Sequence, residues 1–430
     1  MQPQLINRLD SENKPLFLSN TFLYWTHKRF SNGGIFAGTD AGVFYRDNYL
    51  SAWEHLNNGL PDCRVSDIEY IDTIDVLRIA TFGRGIWETD LHPCTFYSND
   101  PLNIEEDEVW TENRIMDRTI HIKAPATLII KSIIKFPTMA KIEVEPGAKL
   151  VVDGGILTNY CSSMWLGIEV WGDSTQKQSS LTQGCVYFQN NAMLENSRIG
   201  ITTCRKDNNG EIIWSTTGGI IHATNSTFRN NYKAIEFLTY HFPQSSTFHN
   251  VSFLTSGNFS DRVSLPSDFI SLLEVKGILF EGCRFINLNT DTTLAAPESS
   301  GRGIYSIDAG YIVDEQCIGQ TYPCTETIPS YFSGLRYGIK AENTNPMYTI
   351  NVNKSIVNNN YRGIYLSGMD FASLTQNVFK LPKFSQVGPG APTDTLYGVY
   401  LNSCSNYKIQ ENIFHSNAPN NGWNVWPFIG

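Results

Sequence analysis

The sequence predicts an all-β protein, most of it a right-handed parallel β-helix, and three observations carry that prediction. The stretch Asn230 to Phe237, NNYKAIEF, returns as Asn359 to Leu366, NNYRGIYL. Ile120-His121-Ile122 and Ala126 to Ile130 line up with Ile142-Glu143-Val144 and Ala148 to Val152, each matched pair 22 positions apart. Short apolar strands punctuated by Asn, Ser and Gly fill the intervals. A spacing in the low twenties suits a coil of three short strands and three turns, at about 3.3 Å per strand residue.

Composition bounds the class. The 430 residues are 41% hydrophobic and 12% aromatic, enough for a large core, while only 17% are charged. A low charge fraction with many Asn, Ser, Thr, Gly and Tyr suits an exported β-rich surface. The formal net charge of -10 and the absence of a Lys/Arg cluster exclude duplex nucleic acid as an expected partner. No run approaches the roughly 18 apolar residues of a membrane span. The N-terminus, MQPQLINRLDSENKP, lacks the apolar core of a secretory signal, so an exported chain would carry its signal upstream. Nine cysteines (63, 94, 161, 185, 204, 283, 317, 324 and 404) form no CxxC pair, which argues against a structural zinc site. Most read as small buried hydrophobes, but Cys317 and Cys324, in CIGQTYPC, are placed to close a small loop in an oxidising compartment.

Taken in order, residues 1–92 read as short strands and turns. Strands are expected at Ile35 to Ala37 and Val43 to Tyr45 around a Gly38 to Gly42 turn, a hairpin signature. Trp53, the turn NNGLP (57–61), a run with Val65, Ile68 and Ile71, and a strand at Leu77 to Thr81 follow, leading into FGRGIWETDL (82–91). The succession GTDAGVFYRD, Trp53 before NNGLP, then ATFGRGIWETDL resembles the final blades of sialidase-type or sortilin-type β-propellers found in large exported proteins of the type IX secretion pathway. The resemblance covers about 60 residues and departs from the Asp-box pattern, since Asn48 and Leu50 stand where Asp and Gly would precede Trp53. It implies a partial propeller of at most about two blades; a small stand-alone β domain is the alternative. MWLGIEVWGD (164–173) resembles a segment of β-helices from the same exported group, whose fold is pectate-lyase-like.

Residues 93–110, with two prolines and the acidic run Glu105-Glu106-Asp107-Glu108, read as a solvated linker, because the run lacks the alternating ligands and Gly turn of a calcium loop. The β-helix is expected over 111–430. In its first coils apolar and polar residues alternate (Ile120, Ile122; Ile142, Val144), which sends one face inward. Ala192 and Leu194 continue the same phase two periods on. A 22-residue helical repeat is disfavoured by the β-branched content and by Pro146-Gly147 beside a strand. Later coils are marked by Gly-Ile steps at 200–201, 219–220, 303–304, 338–339 and 363–364 and by Gly398-Val399, with Gly turning the corner and the next residue facing the core. Steps ending in Phe285, Phe379 and Phe414 are their partners, and corner Asn residues are expected to stack in ladders. Segments 287–299 and 381–395 read as outward loops. The end at NGWNVWPFIG, without a polar cap, suggests a longer polypeptide with further domains.

A search for chemistry gives no catalytic, cofactor-binding or metal-ligating residues to nominate. The pectinase-like families carry N-x-D, D-D, G-H-G and R-x-K elements, and the coil region has no D-D, G-H-G or R-x-K. Asp207, Asp261, Asp268 and Asp291 are scattered, and His222 and His241 are isolated. Trp165 and Trp171 could form a sugar-stacking pair, but the alternating Leu166, Ile168 and Val170 between them favour packing. The expectation is an extracellular or cell-surface non-catalytic scaffold or adhesive protein, with polysaccharide or cell-surface glycans as partners and no cofactor. A polysaccharide lyase or glycoside hydrolase with an unfamiliar site is the alternative, and a purely structural spacer the third reading.

Overall fold

The computed structural model describes residues 23–26, 35–46, 53–56, 60, 62–71, 76–90, 98–160, 163–207, 209–257, 259, 266–289, 300–319, 324–381, 396–416 and 425–429. The chain divides into two compact units, Met1–Phe96 and Tyr97–Gly430. Both are built of β-strands, with a short 3₁₀ turn at Trp214–Thr216.

The first unit holds a four-stranded antiparallel sheet (Leu23–Thr26, Ile35–Thr39, Gly42–Arg46, Glu54–His55) and a three-stranded one (Val65–Ile71, Val76–Thr81, Gly85–Asp90). The hairpin turn falls at Asp40-Ala41, where the Thr39 hydroxyl donates to the Gly42 carbonyl at 2.8 Å. Phe36, Val43, Tyr45, Leu56, Val65, Ile68, Leu77 and Ile79 form its core.

The second unit is a stack of coils feeding a twelve-stranded parallel sheet (the first) and a twenty-stranded one whose pairings run in two columns, called the second and third sheets below, an arrangement that fits a parallel β-helix. Most coils give one strand to each, Ile220–Arg229 and Thr247–Thr255 run through both the second and the third, and successive coils stack about 4.8 Å apart. The expected register holds in the first coils: Ile122 pairs with Val144 and Leu128 with Leu150. On the first sheet one ladder runs Ile120, Ile142, Ile168, Ile201, Ile235, Ile270, Ile304, Ile339, Ile364, Val399. All are buried, each side chain contributing about 2 kcal/mol of apolar burial. The two NNY copies do the same job four coils apart, turning the chain from the third sheet into the first and delivering Ile235 and Ile364 to this ladder. Asn230 and Asn359 both take φ of 53°, a left-handed conformation that Asn tolerates. The next residue reaches back one coil: Asn231 donates to the Leu194 carbonyl at 3.1 Å and accepts from the Ser197 amide at 3.0 Å, as Asn360 does with Phe332 and Leu335. A second Asn ladder lies between the second and third sheets, where Asn377 bonds Val352 and Ser355 and Asn412 bonds Leu374 and Asn377. On the third sheet Phe228, Phe253, Phe285 and Phe332 stack ring on ring at 5.3, 5.0 and 4.5 Å, and Phe379 on Phe414 at 4.7 Å.

Four expectations need correction. The stretch 93–110 is not simply a linker: Ser98–Ile104 and Glu108–Trp110 are strands of the first coil, pairing with Arg118–Ile122 and Thr127–Ile130. Ile104 and Trp110 are buried, and the acidic run fills the turn between the strands, where Asp107 accepts from the Thr127 amide at 2.7 Å. Leu194 does not sit over Leu150, which pairs instead with Val186; Leu194 pairs with Leu157 on the third sheet. The segment 171–184 lengthens that coil, and the 22-residue count lands on the wrong sheet. Gly219-Ile220 belongs to the second sheet, not to the ladder of the first. Finally, Gly200, Gly303, Gly338 and Gly363 are not corners. They lie within strands of the first sheet, where a Cβ would approach the next coil's carbonyl oxygen to 2.4, 2.4, 2.8 and 2.1 Å. Only glycine lets the coils close there.

Cys317 and Cys324 are disulfide-bonded across the small hairpin Gln316–Cys317 and Thr327–Ile328. Cys185, Cys204 and Cys283 are buried thiols, and burial pushes the first two up to about 11 and Cys283 up to about 12. Cys94 and Cys161 lie outside the described residues.

Candidate functional site

The packing reading of the two tryptophans stands. Trp165 is fully buried, stacked on Phe136 at 4.4 Å, and its Nε1 donates to the Glu195 carbonyl at 2.9 Å. Trp171 donates to Glu169 at 3.1 Å, with the Arg205 guanidinium 4.7 Å over its ring. Neither offers an open ring face. His222 stacks on Tyr187 of the second sheet at 5.3 Å and bonds Thr247, and burial holds its imidazole below the ordinary value. His241 is exposed at a turn. Asp268 pairs with Arg302, whereas Asp261, Asp291 and most of the two long loops (290–299 and 382–395) lie outside the described residues.

The outer face of the first sheet carries two clusters. Over the earlier coils, Glu143, Glu169 and Glu236 interleave with Lys141, Lys206 and Lys233. Lys141 Nζ donates to both Glu143 and Glu169 at 2.8 Å, and Glu236 takes Lys233 at 2.6 Å and Lys206 at 3.4 Å. Burial alone raises Glu236, but Lys233 and Lys206 outweigh it and hold the carboxyl below its usual range. Burial alone lowers Lys141, but Glu169 and Glu143 outweigh it and the ammonium is raised. Both stay charged at neutral pH, so the cluster acts as an ion-pair ladder. A glycosidase acid would need the opposite shift on a carboxyl.

Over the later coils the character changes. At each Gly-Ile step two buried residues follow one another, so the partly exposed positions of Arg302–Ile307 and Arg362–Ser367 include one before the Gly and one after the Ile. Stacked from coil to coil, the first position reads Arg302, Tyr337, Arg362, Tyr397 and the second reads Tyr305, Lys340, Tyr365, Tyr400. Tyrosines and cations alternate along the first column, and along the second as far as Tyr365, which is followed by Tyr400. Arg302 lies 3.9 Å over Tyr305; Lys340 lies 5.2 Å from Tyr305 and 5.9 Å from Tyr365; Arg362 lies 4.9 Å over Tyr337. Tyr365 and Tyr400 stack at 5.4 Å and 12°. Each cation–ring contact is worth about 0.5–1 kcal/mol at a partly exposed site. Carboxylates fix two cations from the side, Asp268 on Arg302 and Glu342 on Lys340 at 2.8 Å. Burial pushes the phenols of Tyr305 and Tyr397 up, with Glu342 adding to the first and Tyr337 to the second. They remain neutral hydroxyls that donate and accept.

Tyr305, Tyr365 and Tyr400 offer partly exposed rings beside forked donors and hydroxyls, while Tyr337 and Tyr397 are buried between them, all on strands that carry the Ile ladder beneath. The dent beside Arg302 and Tyr232 encloses essentially no space, against the roughly 300–1,000 Å³ of a small-molecule pocket. The open strip is the larger feature. No metal-binding group of three or more His, Cys, Asp or Glu side chains occurs among the described residues. The strip escaped the sequence reading although its signal is local. Aligning the chain on its Gly-Ile steps gives RGIY at 302–305, YGIK at 337–340, RGIY at 362–365 and YGVY at 397–400. Within any one strand those flanks are ordinary outward residues.

Compared with protein-family models and with curated proteins, the sequence matches none.

Proposed function

We propose that this protein is an exported or cell-surface, non-catalytic scaffold that binds glycans along the tyrosine and cation strip of its first sheet. The two columns of Tyr, Arg and Lys over four stacked coils carry this reading. Sugars present apolar C–H faces and rims of hydroxyls, and the strip pairs ring faces with donors at matching intervals. The long unit is taken as a right-handed, pectate-lyase-like β-helix, in keeping with the hand of nearly all parallel β crossovers. One four-stranded and one three-stranded antiparallel sheet in residues 23–90 support the closing blades of a propeller, and with the resemblance of 34–91 they support the type IX export group. The Cys317–Cys324 bridge supports an oxidising compartment.

A glycan array probed with the protein and with its Tyr365→Ala/Tyr400→Ala variant tests the reading. Binding that disappears in the variant is expected. A blank array would leave the spacer reading. Turnover of a bound polysaccharide that stops on replacing one carboxylate, such as Glu169→Gln, would make the protein an enzyme.

A further inference from the structure

On the outer face of the second sheet one outward column runs from Val109 to Ile312 through eight successive coils, each member paired in register with the next. Its ends are aliphatic, and its middle is a ring pair, Tyr187 stacked on His222 at 5.3 Å. Val109 is 56% exposed and Ile312 40%, and the members between them are half-buried. Beyond Ile312 the column turns polar at Asn351 and Ser373. Two residues further along the strands lies a charged column. There Lys131 pairs with Asp153 at 3.1 Å over the early coils, and His249 with Glu281 at 2.9 Å over the late ones.

We infer that a second copy of this chain docks on this face, its coils running in the opposite direction about a two-fold axis parallel to the strands. An axis between the coils of Tyr187 and His222 reverses the order of the coils and keeps each position along the strand, so the same patch serves both copies. It lays Val109 on the second copy's Ile312, Ile129 on its Leu279, Val151 on its Thr247, and Tyr187 on its His222. The same operation, with no further choice, sets Lys131 over the second copy's Glu281 and Asp153 over its His249. Aliphatic ends therefore meet aliphatic ends, ring meets ring, and each N–H donor meets a carboxylate. Complementarity of both kinds from a single operation singles out a second copy as the occupant. Eight coils at about 4.8 Å, with strands about 15 Å long, give about 600 Å² per copy and about 1,200 Å² in all, which reaches the lower bound of a specific interface. The contact engages only the second sheet and leaves the first sheet of each copy uncovered.

The test follows the mass of the full chain by analytical ultracentrifugation from about 1 to about 100 μM, the range expected of an interface this small. A reversible monomer–dimer equilibrium is expected. Lys131→Glu sets carboxylates against each other at both ends of the interface, and Glu281→Lys does the same with ammonium groups. Each variant alone should dimerise roughly tenfold more weakly, which about 1.4 kcal/mol accounts for. An equimolar mixture of the two variants restores every opposite pairing between unlike copies and should dimerise as the unaltered protein does. Misfolding cannot imitate that recovery. If either variant does not fold, acetylation of Lys131 in the unaltered protein decides: it should slow as concentration rises through the dimerisation range, while the exposed Lys380 of the third sheet keeps its rate. A monomer across the whole range, a dimer whose strength neither variant alters, a mixture no more associated than its parts, or a dimer in which Lys131 is acetylated at an unchanged rate overturns the inference.

Discussion

Phe285 sits at the centre of the stacked core, and replacing it with alanine is the sharpest test of how the coils hold together. The side chain is fully buried, with Phe253 parallel at 5.0 Å on one side, Phe332 parallel at 4.5 Å on the other, and Phe280 edge-on at 6.1 Å. Loss of a buried Phe costs about 3–5 kcal/mol, depending on how far the cavity collapses. Here collapse is resisted, because the rings above and below are fixed by strands paired in register on both sides. The two stacked contacts add about 0.5–1.5 kcal/mol each to what burial supplies. Phe285→Ala should therefore fall at the upper end, about 4–5 kcal/mol, read as a lower urea midpoint by circular dichroism. Because each coil touches only its neighbours, the amides of strands 251–255, 284–287 and 331–333 should exchange faster, while those of 118–144 stay protected. Ile312→Thr, on the exposed outer face of the next coil, should change stability by less than about 0.5 kcal/mol. If Phe285→Ala costs no more than Ile312→Thr, the stacked-coil core is wrong.

Gly363→Ala places a Cβ 2.1 Å from the Gly398 carbonyl oxygen, so backbone must move, and a loss of about 1–3 kcal/mol is expected in thermal unfolding. Asn377→Ala strands the Ser355 amide and the Val352 carbonyl between coils, at about 1–3 kcal/mol for each group left unpaired, measured by urea denaturation. Glu236, with its folded carboxyl depressed by Lys233 and Lys206, adds stability that is present above its ordinary value and lost as pH falls through the lowered one. Glu236→Gln should flatten that acid limb. Lys141, raised by Glu169 and Glu143, adds stability that is complete below its ordinary value and disappears as pH rises through the raised one, so Lys141→Met should blunt the alkaline limb.

Much of the architecture was legible in the chain, and the failures have physical causes. Ile120 over Ile142 could be read directly because no insertion separates those coils. From Ile304 to Ile339 the same ladder step takes 35 residues, since side segments such as the disulfide-closed hairpin lengthen the corners without disturbing the strands. A fixed period therefore fails where the inward Ile and Phe still stack. The acidic run at 105–108 looked like a linker because charge density hid the flanking Leu102, Ile104 and Trp110, which pack inward. Glycine was legible as a special position but not its reason, since close approach between coils depends on a neighbour 25 to 35 residues away. The strip was invisible for a related cause. A single RGIY says little, and only the stacked register brings four such quartets into two columns.

The most direct test of the central claim is oxidative footprinting of tyrosines, with and without the glycan selected on the array. The account predicts protection of Tyr305, Tyr365 and Tyr400 and an unchanged rate at Tyr407, which is 44% exposed on another face. Equal modification of the three strip tyrosines in the bound and free protein, or protection at Tyr407 instead, would contradict it.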